Sequence, residues 1–76
     1  MSPAEDEGPS GVHCRLDELL ADRRMTLTRL SDIVGVSVVN LSVLKNDRAR
    51  AIRYSTLSAI CRALECEIGD LLVRSD

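Results

Sequence analysis

Thr26–Asn46 reads TLTRLSDIVGVSVVNLSVLKN, and its punctuation decides what the chain can fold into. Thr26 is a good N-cap, and Leu27, Leu30, Ile33 and Val34 follow it as the apolar positions of a short helix. Gly35 stands just past the last of them, where a residue free to adopt a left-handed conformation ends a helix. Val36 continues inward, and Ser37 can cap a second helix running from Val38 to about Asn46. The stretch predicts two short helices joined by a tight glycine-containing turn.

Projected at about 100° per residue, the second of these helices has Leu41 and Leu44 on its inward side, with Asn40 and Lys45 at the margins. Val39, Ser42, Val43 and Asn46 gather on the opposite side, with Val38 at its edge. An outward face this rich in valine is an interaction surface, because exposed apolar patches rarely lack a partner.

Working outward, Leu16, Leu19 and Leu20 lie at i, i+3 and i+4 and predict a helix from Cys14 to near Arg24, with Asp17, Glu18, Asp22 and Arg23 on its wet side. Downstream, KNDRARAIR has little to bury and reads as an ordered basic loop. A further helix begins at Ser55 with the stripe Leu57, Ile60, Cys61 and Leu64. Glu67 precedes a last short helix, IGDLL, whose Ile68, Leu71 and Leu72 can close the core. The expected fold is all-α, a bundle of five short helices with no strand signal and no repeat. MSPAEDEGPSG has no apolar periodicity, so residues 1–12 read as a disordered acidic arm, 13–74 as the domain and 75–76 as a tail.

Seventy-six residues leave room for one modest core. With no Trp or Phe and Tyr54 as the one aromatic, that core must come from Leu, Ile, Val and Ala, and Tyr54 reads as a half-buried packing residue. The net charge of -2 conceals a segregation. Residues 1–13 carry -3 and residues 65–76 carry -3, whereas residues 14–64 carry +4. Lys45, Arg48, Arg50 and Arg53 crowd into nine positions opposed only by Asp47, a local basic patch of the kind that phosphates attract.

At this point the residues resemble a family. Leu30, the small Ser31, Gly35, Val36, Ser37, Leu41 and Leu44 look like the phage-repressor/Cro type of helix-turn-helix, the lambda-repressor-like domain. KNDRARAIRYSTLSAICRAL followed by CEIGDLL is similar to a small, nearly stand-alone bacterial branch, and the resemblance covers roughly residues 12–73. It implies a third helix in the major groove of double-stranded DNA, with Ser37, Val38, Val39, Ser42, Val43 and Asn46 facing bases. Phosphate contacts fall to Thr28, Arg29, Lys45, Arg48, Arg50, Arg53, Tyr54 and Ser55, the last two at a helix start whose N–H groups attract anions. Leu27 stands in a neighbourhood where the family often has Gln, a departure from the pattern at one common contact.

The expected function is sequence-specific regulation of transcription by a cytoplasmic homodimer of bacterial or phage type. Valines touch thymine methyl groups, so apolar contact and DNA shape should carry more of the specificity than hydrogen-bonded readout. The alternative is a protein-interaction module that docks a regulatory protein partner on the valine face. His13 reads as part of the arm, and three cysteines without CxxC or HxxxH spacing make no metal or cofactor site. No Ser/His/Asp set, phosphate loop or paired carboxylates appear, so no enzyme is expected, and no apolar run is long enough for a membrane span.

Overall fold

The leucine spacing is realised in space. In the computed structural model, which describes residues 10–75, Leu16, Leu19 and Leu20 are all buried on α1 (Leu16–Asp22). α2 (Leu27–Val34), α3 (Val38–Lys45), α4 (Tyr54–Leu64) and α5 (Ile68–Leu71) complete the expected bundle of five short helices. Leu30, Leu41, Ile60, Leu64 and Leu71 come from four helices and meet Leu16 in one core, each at 1% exposure or less. Ile33 lies off the Leu27, Leu30 and Val34 stripe and is exposed, contrary to its expected core role. Ile68 is exposed too, because the one-turn α5 reaches the core through Leu71.

The expectation of no strand is corrected. β1 (Val12–Cys14) and β2 (Leu72–Arg74) form a two-stranded antiparallel ribbon, with Val12 opposite Arg74, His13 opposite Val73 and Cys14 opposite Leu72. Three residues hold too little alternation to register as a pattern. Tertiary context makes this ribbon: Cys14 is buried in the core, the Arg15 N–H donates to the Leu71 carbonyl at 2.7 Å, and the Ser75 N–H donates to Gly11 at 2.9 Å. His13 therefore belongs to β1 and not to an arm, and Leu72 leaves the last helix to start β2. Residues 1–9 of the arm and residue 76 of the tail lie outside the described residues.

Three helices end by one device that the sequence conceals. Arg24, Asp47 and Glu65 have φ of 53°, 61° and 53°, left-handed values that a side chain disfavours. Each is flanked by the same two bonds: Arg24 to Ala21 with Met25 to Leu20, Asp47 to Leu44 with Arg48 to Val43, and Glu65 to Arg62 with Cys66 to Cys61. These are Schellman closures, which satisfy the last carbonyls of a helix. α2 alone uses glycine, Gly35 at φ 75°, with its N–H on the Ser31 carbonyl.

A paired stability test follows from these backbone angles. A Cβ added at Gly35 meets nothing within 4 Å, so Gly35→Ala suffers only from conformation and should cost about 1 kcal/mol. Glu65→Gly relieves the same kind of strain and should gain about 0.5 kcal/mol. Urea unfolding of both variants reads the two signs; a Gly35→Ala variant as stable as the parent would contradict the strain argument.

Candidate nucleic-acid interface

The turn between α2 and α3 is built from hydroxyl groups as much as from glycine. The Thr26 hydroxyl accepts the Arg29 N–H at 3.0 Å and starts α2, and the Ser37 hydroxyl accepts the Asn40 N–H at 3.1 Å and starts α3. Ser31 donates its hydroxyl to the Val36 carbonyl at 2.6 Å, tying the last turn of α2 to the connection that follows. The two axes turn through 116°, within the range of a helix-turn-helix.

That geometry presents one side of α3. Leu41 and Leu44 are buried beneath it, while Val39 is 71% exposed and Val38 and Val43 are 39% and 38% exposed. Asn46 donates its side-chain N–H to the Ser42 hydroxyl at 3.4 Å, so the two polar groups of this face hold each other until a ligand competes. Asn40, placed by the projection at the inward margin, is exposed. It lines a groove of about 510 Å³ with Ser37 and Val43 on one bank and Ala49, Ala51, Arg53 and Thr56 on the other.

The loop after α3 is better anchored than its composition suggests. Ala49 and Ile52 are half-buried against the core, and the arginines that alternate with them, Arg48, Arg50 and Arg53, are exposed. Among the described residues none of these three forms an ion pair. The one acid of the loop is occupied elsewhere. Asp47 accepts the Cys14 N–H and His13 Nδ1, each at 2.8 Å, and the first of these bonds does most to hold its carboxyl below the usual carboxylate range. The left-handed residue that ends α3 thus also pins the basic loop to β1.

Two expected contacts sit differently. Lys45 faces α1 and not the arginines: its Nζ lies 3.2 Å from Asp17 Oδ2, and its side chain is only 25% exposed. Tyr54 is not half-buried but 88% exposed, at the first position of α4. No side chain caps that helix start, so its first N–H groups stand next to Arg53, Tyr54 and Ser55. Thr28 and Arg29 are exposed on the first turn of α2. Asn40 is the polar groove residue that the sequence pattern does not assign to the site, whereas Thr56 lies at the helix start already expected to attract anions; the first-turn position of Asn40, three residues after the cap, is the signal that could have found it.

A family model for the Cro/C1-type HTH DNA-binding domain matches residues 15–76. The chain belongs to that family. A protein of Bacillus subtilis (strain 168) bearing the name uncharacterized HTH-type transcriptional regulator YozG is 58% identical over 62 residues, 80% of this chain and 74% of the relative. The match takes in α1 to α5 and β2, so it rests on the whole bundle and not on the turn alone. Membership makes this Cro/C1-type domain a DNA-binding module and not an enzyme. Among the described residues no group of three His, Cys, Asp or Glu is placed to hold a metal ion.

Proposed function

We propose that the chain is a sequence-specific transcriptional regulator that inserts α3 into the major groove. The observation that carries this reading is the pairing, on one helix-turn-helix, of an exposed valine face with an anchored loop whose arginines form no ion pair among the described residues. Ser37, Val38, Val39, Ser42, Val43 and Asn46 meet base edges, and Asn40 reaches the strand that runs along the groove. Arg48, Arg50 and Arg53, with Thr28, Arg29, Tyr54 and Ser55, hold phosphates. Lys45 is assigned to Asp17 instead. One domain covers too little DNA for strong specificity, so the active form is a cytoplasmic homodimer on a two-fold site with half-sites about one helical turn apart.

Selection of bound sequences from a random DNA pool tests this directly. A two-fold motif with thymines at positions under α3 is expected, and Val39→Ser with Val43→Ser should relax the thymine preference by about 1 kcal/mol per site while leaving the fold intact. Recovery of no motif, together with loss of a co-purifying protein in the same double variant, would instead assign the valine face to a protein partner.

A further inference from the structure

The sequence presents Cys61 and Cys66 as small apolar side chains, but the end of α4 brings them together. Glu65 turns left-handed, its N–H donates to the Arg62 carbonyl at 3.2 Å, and the Cys66 N–H donates to the Cys61 carbonyl at 3.0 Å. In this closure the side chains of the two residues joined by the outer bond come into contact. The Cys66 thiol stands near enough to that of Cys61 to oppose its ionisation. Cys61 is buried at 6% exposure, whereas Cys66 is half-buried and open to solvent. Both are free thiols, and the third, Cys14, is buried on β1.

We propose that Cys61 and Cys66 are a dithiol site that closes to an intramolecular disulfide on reaction with a low-molecular-weight disulfide. The Cys66 thiolate attacks one sulfur of the reagent, the reagent's S–S bond breaks, and the departing thiolate takes up a proton. Cys61, as thiolate, then attacks the Cys66 sulfur of the mixed disulfide and expels the second half of the reagent. The protein gives up two electrons and two protons, and the reagent leaves as two thiols. The order follows from access and from acidity. Burial first, and then Cys66, Glu67 and Asp70, push the Cys61 thiol up to about 11, so the half-buried Cys66 makes the first attack. The site touches neither the outward face of α3 nor the basic loop, so it stands independently of the DNA reading.

Oxidised glutathione added to the full native chain tests the site, with mass spectrometry of the intact protein and of its peptides. The expected product is lighter by two hydrogen atoms, carries no glutathione, links the Cys61 and Cys66 peptides, and leaves Cys14 to be alkylated after unfolding. A thiol reductant should reverse it. Cys61→Ala should trap a stable glutathione adduct on Cys66, and Cys14→Ser should behave as the parent. A persistent adduct on Cys66 in the parent chain, or three alkylatable thiols after prolonged exposure, overturns the proposal. Should Cys61→Ala fail to fold, the peptide map of the parent chain decides alone.

Discussion

Leu41→Ala should remove a large share of the domain's stability and unfold it at temperatures where the parent is still native. Leu41 is 1% exposed at the middle of α3, where it packs with Leu30 and Ile60 in the core. Truncating such a leucine removes transfer energy and leaves a cavity, together costing about 2–5 kcal/mol. A chain of this length has only about 4–11 kcal/mol to lose. The thermal midpoint, followed by circular dichroism, should fall by roughly 10 °C or more. Val39→Ala, two residues away on the same helix, is the control: at 71% exposure it should change stability by less than about 0.5 kcal/mol. Equal losses in the two variants would mean that α3 does not present the faces assigned to it. The comparison matters for function, because lost DNA binding in Leu41→Ala reports unfolding, whereas in Val39→Ala it reports the surface.

The contrast between those two residues is legible in the sequence, and the reason is local. Helix periodicity places Leu41 and Leu44 on one side and Val39 and Val43 on the other, and the caps at Thr26, Gly35 and Ser37 fix where each helix begins and ends. What escaped the sequence depends on distant partners. β1 and β2 are brought together by the packing of Cys14 and Leu71, with no pattern of their own. Lys45 reads as part of a basic run until α1 brings Asp17 to its ammonium group. Tyr54 lies on the stripe of α4 one turn before Leu57, where the helix has not yet reached the core, so its aromatic character wrongly suggests packing. The left-handed positions Arg24, Asp47 and Glu65 are hidden for a different reason, since composition signals such turns only when glycine or asparagine fills them.

Asp47 shows how these hidden features serve the site. A basic loop that wandered would lose entropy on every phosphate it touched. Here the end of α3 passes straight into a residue whose carboxylate is fastened to His13 and Cys14 of β1, and Ala49 and Ile52 seat the next turns against the core. Arg48, Arg50 and Arg53 are held on a fixed track beside α3, with no acid of the loop left to neutralise them.

Binding to a specific site should therefore weaken steeply with salt, and the steepness should reside in those three arginines. With roughly 4–6 phosphate contacts per protomer, a dimer releases enough counterions for a log-log slope of about -7 to -11. Raising salt from about 50 to about 200 mM then costs on the order of four or more powers of ten in affinity. Replacing Arg48, Arg50 and Arg53 together by alanine removes about six contacts from a dimer, which should flatten the slope by about 5. Stability should hardly move, since all three side chains are exposed and form no ion pair among the described residues. Lys45→Ala makes the discriminating comparison. A lysine on phosphate would take about 2 from the dimer slope, whereas one committed to Asp17 should leave it nearly unchanged. Titrations of labelled DNA across a salt series give all three slopes. If the triple variant keeps the parent's slope, the phosphates are held elsewhere and the basic loop is a solvated surface; if Lys45→Ala lowers it as much as one arginine does, the ion pair with Asp17 opens on DNA and the lysine joins the phosphate set.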